Sequence, residues 1–279
     1  MSPNLARRRP FQPDKIEGMN RLPLYTTALA AGLVLAIAAT ALADLGGNEK
    51  VWCVGNICVT DDGGISPDKL PKRGKAPVTA RLNGEIETRD GTHPPPVQTL
   101  ELDIDKTIAV DAVGLPTCRA GQIMASNTAT VKKVCGKAII GSGAAEVEVA
   151  FPEQTPFSSK GPLVLFNGGV KGRTTTVLLH AYVKVPAPTA IVTEATITRI
   201  NRGRFGLHIA AKVPRIAGGS GSVTMFELEV GRKFTYEGER KSFLLAGCPT
   251  GTWLTKGQVR FGDGTRLGIS HPFSCTPKE

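Results

Sequence analysis

From Val78 onward the chain alternates apolar and polar residues with a period of two, and this alternation narrows the fold more than any other property of the sequence. Val78, Ala80, Leu82, Ile86 and Thr88 alternate with Thr79, Arg81, Asn83, Glu85, Glu87 and Arg89, the pattern of a strand with one buried face. Gly84 in that run predicts a bulge or bend. A second stripe comprises Leu100, Leu102, Ile104, Ile108 and Val110, a third Val177, Leu179, Ala181, Val183 and Val185, and a fourth Phe205, Leu207, Ile209, Ala211 and Val213. Shorter strands are expected at 145–151, 163–166 and 226–230. Asp263-Gly264 between Val259/Phe261 and Leu267/Ile269 is a hairpin signal. One helix is expected, capped by Asn127 or Thr128, with Val131, Val134, Cys135 and Ala138 on one face. The fold class is therefore all-β: an antiparallel β-sandwich or partly open barrel with one short helix. Thirty-two glycines and twenty prolines suit a turn-rich chain.

Residues 1–43 read as a signal peptide. Arg7, Arg8, Arg9, Lys15 and Arg21 precede an apolar run from Ala28 to Ala39. Ala41-Leu42-Ala43 before Asp44 supplies the small residues that a signal peptidase accepts, so cleavage is expected between Ala43 and Asp44. The competing reading is an uncleaved membrane anchor, since Leu22–Ala43 as a helix just spans a hydrocarbon layer of about 30 Å. Either Met1 or Met19 can be the start. The expected location is secreted or envelope-associated.

All six cysteines, Cys53, Cys58, Cys118, Cys135, Cys248 and Cys275, follow that segment. An even number in an exported chain points to disulfides. They fall into three neighbouring pairs, which predicts Cys53–Cys58, Cys118–Cys135 and Cys248–Cys275. For the first, a two-residue Gly55-Asn56 turn sets Val54 opposite Ile57 and Cys53 opposite Cys58. Zinc is disfavoured: no Cys-x-x-Cys occurs, and His93, His180, His208 and His271 are scattered. Asp61-Asp62-Gly63-Gly64 and Ser66–Lys75 carry turn and loop chemistry. The expected division is thus a disulfide hairpin and linker over 44–75 and a β-domain over 76–279, with a sub-boundary near 186–190 at Pro186-Ala187-Pro188.

Charge is uneven. Residues 44–190 hold 16 Lys and Arg against 15 Asp and Glu, whereas 191–279 hold 13 against 7. Arg199, Arg202, Arg204, Arg232, Lys233, Arg240 and Lys241 gather near predicted turns and are the candidate anion-binding residues. Their expected partner is an anionic cell-wall polymer or anionic lipid surface. Nucleic acid is not expected, because no aromatic platform interleaves the cations.

Signals for catalysis and cofactors are weak. Gly218-Gly219-Ser220-Gly221-Ser222 falls short of a nucleophile elbow and of a phosphate loop, and reads as a flexible connection. Glu101, Asp103 and Asp105 are offered to calcium by one strand face, but pairing with Arg81 or Arg89 is the expected outcome. His180 and His208 stand opposite the apolar stripes and become an acid/base site only beside a carboxylate. No cofactor is expected.

Gly64-Ile65-Ser66-Pro67, Leu70-Pro71, Ala76-Pro77-Val78, Asp90-Gly91-Thr92 with Pro94-Pro95-Pro96, and Gly114-Leu115-Pro116 before Cys118 form a spaced set of motifs. Cys135, Pro156-Phe157, Phe166-Asn167-Gly168 and Pro214-Arg215-Ile216 extend it. Together they resemble an uncharacterised family of exported, disulfide-containing, β-rich actinobacterial proteins. The resemblance implies export and a β-rich fold and supplies no catalytic residue. The functional expectation is a non-enzymatic envelope-binding protein. The alternatives are a carrier of a small apolar ligand, with Ala181, Ala195 and Ala211 leaving room inside the strands, and an unrecognised hydrolase or isomerase.

Overall fold

The computed structural model describes residues 49–184 and 187–279. The expected signal peptide, Ala41, Ala43 and Asp44 at its expected cleavage site, the anchor alternative, Met19, Val185 of the third stripe and Pro186 of the expected sub-boundary lie outside the described residues.

Twelve strands share one antiparallel sheet. They are β1 Lys50–Val54, β2 Ile57–Ser66, β3 Thr79–Thr88, β4 Val97–Asp105, β5 Ile139–Val149, β6 Phe157–Lys171, β7 Thr174–Val183, β8 Thr189–Arg202, β9 Phe205–Lys212, β10 Gly221–Val230, β11 Thr252–Phe261 and β12 Arg266–Ser274. Their order is β1-β2-β3-β10-β5-β6-β7-β8-β9-β4-β11-β12. The sheet curls into a nearly closed barrel, so the all-β expectation holds. β7 pairs with β8 from Val183↔Thr189 to Thr174↔Thr198, carrying the sheet across the expected sub-boundary.

The last side of the barrel, between β12 and β1–β2, is closed by side chains. Trp52 of β1 lies 5.4 Å from the His271 ring of β12, which stacks on Phe273 at 3.9 Å. His271 Nδ1 is 2.9 Å from Asp61 Oδ2 on β2. His271 is only 1% exposed. Burial pushes the Asp61 carboxyl above its ordinary range, and the hydrogen bond and charge of His271 offset this only in part.

A barrel of twelve strands is wider than its wall residues can fill. Here chain segments crossing one end supply the missing volume. The short strand Leu244–Ala246 pairs with Ala76–Pro77 on one side and Ile108–Val110 on the other. Leu70, Phe243, Leu244, Ala246, Cys248 and Trp253 join the inward residues of the wall, among them Leu163, Leu165, Val177 and Ala181, in one buried cluster. The Ala181 and Ala195 side chains that suggested a cavity are buried, and Ala181 is part of this packing.

The three disulfides pair as expected: Cys53–Cys58, Cys118–Cys135 and Cys248–Cys275. Gly55 takes φ +57 in the first turn, and the register sets Cys53 opposite Cys58. Three disulfides mark a protein of an oxidising space outside the cytoplasm. The expected helix is Thr128–Cys135, with Asn127 Oδ1 accepting from Thr130 N. Val131 and Cys135 are buried under it, but Val134 is 53% exposed, contrary to its expected place on the apolar face. One helical turn continues as 3-10 structure over Gly136–Ala138, which carries Ala138 into the core.

Two local expectations fail. Asp61-Asp62-Gly63-Gly64, expected in a loop, lies within β2, which pairs with β3 along its whole length from Ile57↔Thr88 to Ser66↔Thr79. Turn-forming residues here serve packing: Asp61 turns inward to His271, and a Cβ on Gly63 would stand 2.7 Å from Arg81 O. The hairpin 50–66 is therefore part of the barrel wall. Gly84 sits in unbroken register opposite Asp61 and Phe226. It is small because the Phe226 ring occupies the space of a Cβ.

Candidate functional site: a basic end of the barrel

The register places the turns of the barrel at two ends. One end collects the β6–β7 turn, the β8–β9 turn, the last residue of β4, and the segments after β10. The β6–β7 turn is Lys171-Gly172-Arg173 and the β8–β9 turn is Arg202-Gly203-Arg204, with Gly172 at φ +60 and Gly203 at φ +56. Two cations flanking a glycine that takes the left-handed conformation thus recur in neighbouring turns. Arg199 N donates to Arg173 O at 2.9 Å, tying the two together.

The remaining candidates reach the same end through a short chain of bonds. Arg199 Nη2 donates to Val110 O at 3.1 Å. Asp111 N donates to Phe243 O and Phe243 N to Arg232 O. Lys233–Tyr236 and Glu239–Ser242 form a hairpin from this point, with Lys241 Nζ 5.2 Å from the Tyr236 ring centre. Lys75 Nζ donates to Lys106 O at 2.9 Å, and burial lowers its pKa, with the Arg199 charge acting in the same direction. A groove of about 770 Å³ lies on the neighbouring segment and is lined by Lys69, Lys72, Arg73 and Lys278 together with Glu279, which pairs with Lys72 at 3.2 Å. A second surface groove, on the outer face of β2, β3 and β10, is lined by residues that include Glu49, Asp62, Glu85 and Glu227.

All seven candidate residues lie at this end, but they are not equivalent. Arg204 Nε is 2.6 Å from Asp105 Oδ2, and Arg202 Nη1 is 3.8 Å from Asp103 Oδ2. Asp103 also meets His208 Nδ1 at 2.7 Å. The carboxylates at 103 and 105 therefore serve Arg202, Arg204 and His208 rather than Arg81 or Arg89; Arg81 pairs instead with Glu229. Lys233 and Arg240 are exposed and have no carboxylate within ion-pair distance among the described residues. Lys75, Lys106, Lys171 and Arg173 were missed because charge was divided by position along the chain. The recurrent cation-Gly-cation turns were the signal available.

Asp105 supports this end from inside. It is 4% exposed. Burial alone would raise its pKa, but the hydrogen bond from Arg204, those from the Thr107 N–H and hydroxyl, and the Arg204 charge more than offset it and hold the carboxyl below its ordinary range. A carboxyl depressed in the folded state contributes stability that is complete above the unfolded value of about 4 and disappears as pH falls through the folded value. Asp105→Asn should therefore destabilise the protein at neutral pH, and its difference from the wild type should shrink below about pH 4. Chemical unfolding across a pH series checks this; a difference constant with pH would remove the ion pair as its cause.

At the opposite end Ser222 Oγ lies 3.1 Å from His93 Nε2, and His93 Nδ1 lies 2.6 Å from Glu148 Oε1. Serine, imidazole and carboxylate stand in the order of a hydrolase relay. Yet Ser222 is 1% exposed and its hydroxyl donates to Pro94 O. A buried hydroxyl engaged by a main-chain carbonyl presents no nucleophile to a substrate, and these bonds clamp Pro94-Pro95-Pro96 to β5 and β10. His180 is also fully buried, with Nε2 2.8 Å from Ser126 O. Among the described residues it meets no carboxylate, and β8 separates its strand from that of His208. Among the described residues no cluster of three or more His, Cys, Asp or Glu is arranged to hold a metal ion.

Fold and site together define a disulfide-stapled, filled antiparallel barrel with cations concentrated at one end. No protein-family model, curated protein or solved structure matches the chain.

Proposed function

We propose that this is an exported protein that binds an anionic component of the cell envelope through the basic end of its barrel. The observation that carries this reading is the convergence of cations from separate turns, among them Lys171, Arg173, Lys233 and Arg240, on one end. A solubility role asks only that charge be spread, whereas convergence raises the local potential and attracts a polyanion. The filled interior argues against the carrier reading, and the burial of Ser222 against the hydrolase reading. Nucleic acid is not part of the proposal, since the chain acts outside the cytoplasm. The proposal includes membership of the exported actinobacterial group and removal of residues 1–43. The exported protein should then begin at Asp44 by mass spectrometry, and recovery of residues 20–43 on a membrane-bound form would establish the anchor instead.

Arg202 and Arg204 are poor choices for testing the binding surface, because reversing them leaves Asp103 and Asp105 facing like charge. Lys233→Glu with Arg240→Glu changes exposed residues only. Each cation near an anionic surface contributes about 1 kcal/mol. Loss of the two cations alone should weaken retention on an anionic wall polymer or anionic vesicles about 30-fold at low salt, and the two carboxylates introduced should push the loss beyond that. Retention of the wild type should fall as salt shortens the Debye length from about 10 Å at 0.1 M to about 3 Å at 1 M. Salt-independent retention, or a variant that binds like the wild type, defeats the proposal.

A further inference from the structure

The segment from Ala112 to Ala145 carries Arg119, Lys132, Lys133 and Lys137 and not one carboxylate. Most of it forms a lobe on the outside of β6 and β7, where Cys118, Ile123, Val131 and Cys135 pack on Val164, Phe166 and Leu178. Of the segment's large apolar side chains, Met124 is 61%, Val134 53% and Val113 50% exposed, the first two on the lobe itself. Val134 precedes Cys135, whose disulfide leads to Cys118 with a Cα separation of 5.5 Å. Thr117, next to Cys118, lies 3.4 Å from the Cβ position of Gly169, two residues before the Lys171-Gly172-Arg173 turn. Arg119, Lys132 and Lys133 of the same disulfide-closed lobe are exposed as well.

We infer that the Cys118–Cys135 lobe docks the protein on an anionic lipid surface. This rests on the binding reading above and selects its lipid form. Exposed apolar side chains among cations match an interface in which the apolar groups enter the acyl boundary while the cations meet headgroups. A hydrated wall polyanion offers partners to Arg119, Lys132 and Lys133 and none to Met124 or Val134. Through Thr117 and Cys118 the lobe contacts the strand that leads into the Lys171-Gly172-Arg173 turn, so it adjoins the basic end. The disulfide keeps the short helix seated, so its outward residues are presented without an ordering cost at each encounter.

The test is co-sedimentation of the disulfide-intact protein with phosphatidylcholine vesicles, with and without phosphatidylglycerol, alongside retention on a soluble anionic wall polymer. The wild type should bind only vesicles containing phosphatidylglycerol. Met124→Ser with Val134→Ser should weaken vesicle binding about tenfold, the loss expected from two partly exposed apolar side chains. It should leave polymer retention unchanged. Lys132→Glu with Lys133→Glu should weaken vesicle binding by at least as much. Vesicle binding that survives Met124→Ser with Val134→Ser overturns the inference, as does a wild type that binds polymer but no vesicle. A wild type that dimerises through this lobe, with the dimer lost in the serine variant, also overturns it in favour of a second copy as occupant. Failure to bind either polymer or vesicles would instead defeat the broader proposal.

Discussion

Trp253→Ala should lower the unfolding free energy by about 3–5 kcal/mol, the range for removing a large aromatic side chain from a packed interior. Trp253 is 2% exposed among the residues that fill the barrel, and its indole N–H donates to Gly247 O at 2.7 Å. Its loss opens a cavity and strips a buried carbonyl of its donor beside Cys248. Trp253→Phe keeps most of the volume and loses the hydrogen bond, so its cost should be smaller, about 1–3 kcal/mol. Urea unfolding of the three proteins measures both. An alanine variant with the wild-type midpoint would mean that the interior filling does not hold the wall together.

Removing the Cys118–Cys135 bridge, with both residues changed to serine, should cost about 3 kcal/mol in the loop-entropy account, since it closes a loop of 17 residues. The effect should be local as well as global. The bridge holds the covering of Phe166, Leu178 and His180, so amide exchange over 118–138 should rise before that of β6 and β7. Loss of Cys53–Cys58 should cost less, because its separation is only 5 and the two strands already pair from Lys50↔Asp61 to Val54↔Ile57. A larger loss at Cys53–Cys58 than at Cys118–Cys135 would contradict the ranking.

How much was legible in the chain depended on the range of the interaction concerned. The alternation at 78–89 and 205–213, the Gly55-Asn56 turn, the Asp263-Gly264 hairpin and the Asn127 cap are set by neighbours a few residues apart. All of them appear in the structure. The disulfide pairing was legible for the same reason: each bridge closes a short loop. Asp61 and Gly63 misled because their turn propensity, a local preference, lost to packing against His271 and the Arg81 carbonyl, both distant in sequence. The candidate site divides along the same line. Arg199, Arg202, Arg204, Arg232, Lys233, Arg240 and Lys241 were recognisable as cations at turns, but which of them carry unneutralised charge was not. The partners of Arg202 and Arg204, Asp103 and Asp105, are about a hundred residues away and arrive through the pairing of β9 with β4.

The sequence by itself determined that this is an all-β chain, with one capped helix, three local disulfides and an excess of cations in its last third. Each of these follows from side-chain chemistry and spacing within a few residues, where the covalent chain limits the arrangements possible. Only the tertiary structure decided that the sheet nearly closes, that Phe243, Leu244 and Trp253 fill it, and that Lys171 and Arg173 join Lys233 and Arg240 at one end. Those outcomes depend on strand order, β1-β2-β3-β10-β5-β6-β7-β8-β9-β4-β11-β12, and order among strands of like alternation is selected by the packing of the whole set. It sets Ser222 against His93, Asp61 against His271, and the Cys118–Cys135 lobe against β6 and β7, contacts that no periodicity in the chain encodes.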